Sequence, residues 1–165
     1  DFFDAALEAA RRLRDCGIEP TFFSLAPSDH QLLTALGGSN FPVVAWRGGR
    51  SSEFESFWSE LARMDLVLTA RFHGAVFALL SEVPFIAVGI EPKLEQVQGW
   101  ATAKGQPDLT MPAEADPELI VHRVVDGLDQ ASRRRDAARS MLAEQRRLAV
   151  IGEQRLAAWL ENGPR

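Results

Sequence analysis

Arg71, Phe72, His73 and Gly74 close an apolar run, Asp65-Leu-Val-Leu-Thr-Ala70, and a helical pattern begins at once behind them. Arginine carries a permanent charge on a planar fork that matches carboxylate and phosphate. Histidine exchanges a proton near neutral pH. A helix N-terminus attracts anions through unpaired N–H groups and partial positive charge. The stretch therefore reads as a site for a small anionic substrate, with a group beside it able to do acid–base chemistry. A lone Arg and His usually mean an ion pair and a cap. Their position at a strand end, with Gly74 permitting close approach of the backbone, favours a ligand.

In open parallel sheets, ligands bind beyond the C-terminal ends of the strands. Two further strand ends carry polar groups. Gly89-Ile-Glu91-Pro92-Lys93 follows a second buried run. Glu91 can cap the helix that Pro92 opens, and Lys93 sits in the first turn, where a cation opposes the helix dipole. That unfavourable placement points either to a ligand or to a salt bridge with Glu91 or Glu95. Arg47-Gly-Gly-Arg50 looks like an anion-cradling loop but lacks the lysine, spacing and hydroxyl partner of a P-loop. Its strand would lie at the sheet edge, which favours a surface loop. His30 falls in a capping region and His122 within a helix, and both read as surface or packing residues. No histidine–carboxylate spacing suggests a metal site. The nucleophile-elbow and dinucleotide glycine patterns are absent.

The elements that must position these residues alternate. Phe2 to Cys16 is helical, with Gly17 as its stop. Thr21 to Leu25 is a short strand. Ser28 or Asp29 caps a helix running to Leu36. Pro42 to Trp46 is a second strand, and Glu53 to Met64 a helix burying Phe54, Phe57, Trp58 and Leu61. The strand Asp65–Ala70 leads to an apolar helix, Phe72–Ser81, with almost no polar face, which should be buried. Pro84–Gly89 is a strand, followed by a helix to about Lys104, a short edge strand at Leu109–Met111 and a helix Pro117–Leu128 capped by Asp116. Ala131–Leu160 is a long amphipathic helix rich in arginine. It is a solvated helix with a packed stripe, or else a basic face for a membrane surface or anionic partner. Strands alternating with helices predict an α/β fold: a Rossmann-like, doubly wound parallel sheet with a long C-terminal helix, in a single domain over residues 1–165.

The chain has 165 residues, enough for one domain with a sizeable core. Its net charge of −5 argues against a general nucleic-acid role. The single cysteine, Cys16, cannot pair within the chain and reads as a packing residue near a helix end. A reducing, cytoplasmic setting is the simplest expectation. No apolar run approaches the roughly 20 residues that span a bilayer. A chain of this pattern that opens on a helix suggests a piece of a longer protein, with a preceding strand and domain.

The run MDLVLTARFHGAVFALLSEVPFIAVGIEPK, over residues 64–93, resembles the C-terminal signature of the polysaccharide pyruvyl transferase family. There an apolar strand ends in Arg-x-His. A helix of small and apolar residues follows, then a Val-Pro-led strand and a turn closing in Pro-Lys. The resemblance implies two facing Rossmann-like domains of the type B glycosyltransferase kind, of which this chain would be the C-terminal, donor-binding one. It implies transfer of a pyruvyl group from phosphoenolpyruvate to a glycan or lipid-linked sugar, forming a ketal on a cell-surface polysaccharide. The work would be done at the inner face of the membrane, without a cofactor. Arg71 would hold the donor's anionic groups and His73 would act as general acid–base. Phe72, Gly74, Glu91 and Lys93 would complete the substrate site. The same architecture could serve a nucleotide-sugar glycosyltransferase, or a non-catalytic α/β module.

The chemistry suits the residues. Enolpyruvate becomes electrophilic at C2 when its methylene carbon is protonated, and a sugar hydroxyl can then attack. The phosphate and carboxylate need fixed positive charge throughout.

Overall fold

The computed structural model describes residues 2–35, 40–46, 51–89, 93–94, 96–97, 99 and 110–162. Arg47–Arg50 and Glu91, both singled out in the sequence, lie outside these. The chain opens with α1 (Phe2–Asp15), β1 (Phe22–Ser24), α2 (Pro27–Ala35), β2 (Val43–Ala45) and α3 (Ser51–Ala62). It continues with β3 (Val67–Thr69), α4 (Phe72–Leu80), β4 (Phe85–Ala87), α5 (Pro117–Asp129) and α6 (Ala131–Asn162).

The strands form two parallel pairs. β1 lies beside β2 with Phe23 level with Val44, and β3 beside β4 with Leu68 level with Ile86. Met111 extends the second pair through a parallel bridge to Val88, with its N–H 3.0 Å from the Ala87 carbonyl. Of the edge strand expected at Leu109–Met111, Met111 makes this single bridge, and Leu109 lies outside the described residues. Among the described residues no ladder joins the pairs, so the observed architecture is a mixed α/β fold with two short parallel sheets.

β4 is the most deeply buried strand, because its side chains alternate between two apolar clusters. Phe85 and Ala87 meet Ala75, Ala78 and Leu79 of α4 and Ala138, Met141 and Leu142 of α6. Ile86 and Val88 meet Ala9 and Leu13 of α1, Met111, and Ile120 and Val124 of α5. β1 and β2 are only half-buried apart from Ser24. They are covered instead by aromatic packing: Phe23 meets Phe57 edge-on at 5.4 Å, and Trp46 meets Phe54 at 5.1 Å.

Local signals account for most helix ends. Gly17 takes φ 81° and closes α1, with its own N–H bonded to Arg14 O and that of Ile18 to Leu13 O. Asp116 caps α5 by accepting from Leu119 N at 2.8 Å, and Pro117 follows at the first position. Three expectations are corrected. α2 begins at Pro27, ahead of both expected caps, because proline suits a first helical position. Cys16 is exposed, since α1 turns its apolar stripe through Leu13 and leaves the C-terminal residue outside. α4 is buried on one side only, with His73 and Leu80 exposed. In α6, Arg135, Arg139 and Arg147 each pair with a carboxylate; the packed stripe is Ala138, Met141 and Leu142, and further along the helix Leu148 and Val150 are exposed. No helix among the described residues is long and apolar enough to cross a membrane.

Candidate active site at two strand ends

β1 and β3 each run into a nine-residue helix through a two-residue connection, and both turns use one device. The last strand residue carries a hydroxyl that donates to the carbonyl two residues on. Ser24 Oγ bonds Ala26 O at 2.9 Å, and Thr69 Oγ1 bonds Arg71 O at 3.1 Å. Both side chains are buried, so the bond satisfies a hydroxyl that water cannot reach. Ala26 and Arg71 then stand as the residues that precede their helices.

Beyond that point the turns diverge. In α2 the third helical residue is Asp29, whose Oδ2 accepts from Leu25 N at 3.3 Å and Ala26 N at 3.1 Å. This is the returning half of a capping box. In α4 the third helical residue is Gly74, buried, and a Cβ there would stand 2.3 Å from Thr69 Oγ1. The space that the sequence assigns to a close backbone approach is filled by Thr69. That hydroxyl also accepts from Arg71 N at 3.0 Å, so it grips Arg71 by both backbone groups. The side chain of Arg71, the residue that precedes α4, makes no capping hydrogen bond among the described residues.

Arg71 has extended backbone, with φ −112° and ψ 133°, which throws its side chain outward. One guanidinium nitrogen, Nη2, lies 2.7 Å from Asp29 Oδ1. The arginine side chain is 54% exposed and the aspartate 15%. At such exposure the pair is worth no more than about 1 kcal/mol. Its effect is to hold one corner of the fork. By its sequence position Asp29 is only a candidate cap. Its second oxygen reaches 42 positions along the chain, a contact with no local signal.

His73 is exposed and lies between two rings, Phe72 at 5.6 Å and Phe77 at 6.4 Å. Phe72 itself is half-buried against the cluster of α4, β4 and α6. Phe77 also meets Trp46, Phe54, Phe57 and Trp58 edge-on, so the histidine adjoins an aromatic cluster drawn from α3, α4 and the residue after β2. Parallel pairing sets Thr69 level with Ala87. The chain beyond both strands, with Arg71 on one and Lys93 on the other, leaves from the same sheet edge. Lys93 is exposed and helical. Among the described residues no hydrogen bond links it to Arg71 or His73, and no cluster of histidine, cysteine and carboxylates could hold a metal ion.

The class of protein so defined is an α/β chain with a strand end suited to anions: a tethered arginine, a helix start and an exposed histidine within three residues. Residues 9–92 match the polysaccharide pyruvyl transferase family. That span is just over half of the chain, and the chain belongs to this family. It includes Arg71, Phe72, His73, Gly74 and Glu91 and stops one residue before Lys93. No curated protein and no solved structure matches the chain.

Proposed function

We propose that this chain is the donor-binding part of an enzyme that moves the pyruvyl group of phosphoenolpyruvate onto a sugar and forms a ketal. The observation that carries the reading is Arg71, clamped at its backbone by Thr69 and at one corner by Asp29, its side chain about half exposed two positions before His73. A fork held this way loses little freedom on meeting an anion. The start of α4 adds N–H groups and partial positive charge. Lys93, leaving the same sheet edge, supplies a second cation for the phosphate.

The chemistry balances as follows. His73 gives a proton to the methylene carbon, which becomes a methyl group, and one sugar hydroxyl adds to C2. The C2–O bond to phosphate then breaks, and a second hydroxyl of the same sugar closes the ketal. The two hydroxyl protons end on the methyl group and on the released inorganic phosphate. Arg71 stabilises the carboxylate and the departing phosphate, whose charge develops as the bond breaks. We further propose that the two strand pairs belong to one doubly wound sheet, like the C-terminal half of a type B glycosyltransferase, and that the acceptor glycan approaches from a facing domain of a longer protein.

Calorimetry tests the reading directly. Phosphoenolpyruvate should bind the wild-type chain saturably, with a nucleoside diphosphate as control. Arg71→Ala should abolish most of that affinity. His73→Ala should keep binding and, in a full-length enzyme with acceptor, lose turnover. Unchanged affinity in Arg71→Ala, or preference for the nucleotide, would sink the assignment.

A further inference from the structure

A general acid works only while its ring stays within hydrogen-bond reach of the atom that takes the proton. In many sites a histidine is oriented by a hydrogen bond to its second ring nitrogen. Among the described residues His73 makes no hydrogen bond, and its contacts are with two rings, Phe72 and Phe77. It is also exposed, so core packing does not confine it. A side chain without such restraint shares its population among staggered rotamers.

Phe77 lies one turn beyond His73 in α4, and residues four apart stand on one face of a helix. Long helical side chains lean toward the N-terminus, over the preceding turn. Phe77 therefore leans onto the turn that carries His73. Their ring centroids stand 6.4 Å apart, with the planes at 40° to each other. That separation falls within the range of favourable aromatic pairs. Phe72 meets the imidazole edge-on at 5.6 Å, but it belongs to the separate cluster of α4, β4 and α6.

Phe77 is itself held in place. Trp46, Phe54, Phe57 and Trp58 each meet it edge-on, at centroid distances between 5.8 and 6.4 Å. Phe57 is buried and ties this cluster to β1 through Phe23. Among the described residues no other ring of the cluster reaches the imidazole, so its packing passes to His73 through Phe77.

We infer that Phe77 is a positioning residue, which confines the His73 imidazole to one rotamer for the proton transfer proposed above; the inference rests on that reading of His73. Contact between rings restrains an imidazole without engaging its nitrogens, which are the atoms that carry the proton.

The experiment has two arms. In the ¹³C,¹⁵N-labelled full chain, three-bond couplings across the His73 Cα–Cβ bond report its rotamers. The wild-type chain should show one dominant rotamer. Phe77→Leu, which stays apolar but removes the ring, should give averaged couplings. Phe77→Tyr, which keeps the ring, should retain the single rotamer. In a full-length enzyme with acceptor, Phe77→Leu should lower kcat about two- to threefold, since any one rotamer then holds about a third to a half of the population. KM for phosphoenolpyruvate should stay level, because Arg71 holds the donor. Phe23→Leu is the control. It loosens the same cluster at Phe57, away from Phe77 and His73, and should leave both couplings and kcat unchanged whatever it does to the unfolding midpoint. Averaged couplings in the wild-type chain overturn the inference without any variant. So do wild-type couplings in Phe77→Leu, or a loss of turnover in Phe23→Leu equal to that in Phe77→Leu. If the couplings respond as expected and the full-length enzyme transfers no pyruvyl group, Phe77 still holds the ring and the pyruvyl transfer reading falls instead.

Discussion

The turns after β1 and β3 start alike and finish differently, and the difference lies in two pairs of residues. Ser24 and Thr69 make the same bond to the carbonyl two residues on. At the third helical position, however, α2 has Asp29 and α4 has Gly74. The carboxylate of Asp29 turns back and satisfies the backbone of its own turn. In α4 the hydroxyl and Cβ of Thr69 occupy the space a third-position side chain would need. With Gly74 there, the third helical position has no side chain to turn back on its own backbone, and the Arg71 side chain is about half exposed. The two turns are then tied by one ion pair in which the self-satisfied turn steadies the open one. A shared backbone device thus yields one turn that caps itself from the third helical position and one that does not.

Substitutions can break or sharpen this contrast. The largest effect is expected from Arg71→Ala, which should weaken phosphoenolpyruvate binding about 100-fold in calorimetry, since charge-assisted bonds are lost. The unfolding midpoint should move little, because the arginine side chain is mostly exposed. Next, Gly74→Ala should destabilise the fold by about 2 kcal/mol in urea unfolding, because its methyl group would collide with a hydroxyl locked by two bonds. Pairing it with Thr69→Ala should cost less than the sum of the two single changes; simple additivity would show that the contact is not what excludes a side chain there.

Asp29→Ala removes the carboxylate that accepts from two backbone N–H groups, and with it the tether, and should cost about 1 kcal/mol in thermal unfolding. Asp29→Asn should recover part of that stability through its remaining acceptor while weakening phosphoenolpyruvate binding, as the fork loses its anchor. If Asp29→Asn instead tightens binding, the carboxylate competes with the substrate rather than positioning the arginine. The smallest change is Thr69→Ser, which makes the second turn resemble the first. It keeps both hydrogen bonds and loses one methyl, for about 0.5–1 kcal/mol, and should leave ligand affinity unchanged.

The sequence carried the elements well where the signal is local. The apolar periodicity of Phe2–Asp15 and its Gly17 stop, the Asp116–Pro117 start of α5 and the length of α6 were all readable, because helix ends are set by the few residues around them. The Arg71–His73 strand end was readable because residue type and position in a strand–helix unit coincide there. Asp29 was half-legible: its place at a helix start is a local matter, but its bond to Arg71 depends on how β1 and β3 are brought together. That His30 and Trp46 line one cavity was not legible, since two strand ends meet to form it. Trp46 and Phe77 gave no sign of meeting, since aromatic side chains on different elements carry no shared period.

What the sequence alone determined is the order of elements, the family, and the chemical kinds of group at the β3–α4 turn, because these depend on neighbours within a few residues. Only the tertiary structure decided which carboxylate steadies Arg71, that Thr69 rather than a ligand fills the space beside Gly74, and that His30 and Trp46 share a wall. The first and last depend on strand pairing and helix packing, which bring together residues far apart in the chain, and the second depends on side-chain conformation within one turn; residue order encodes neither distance.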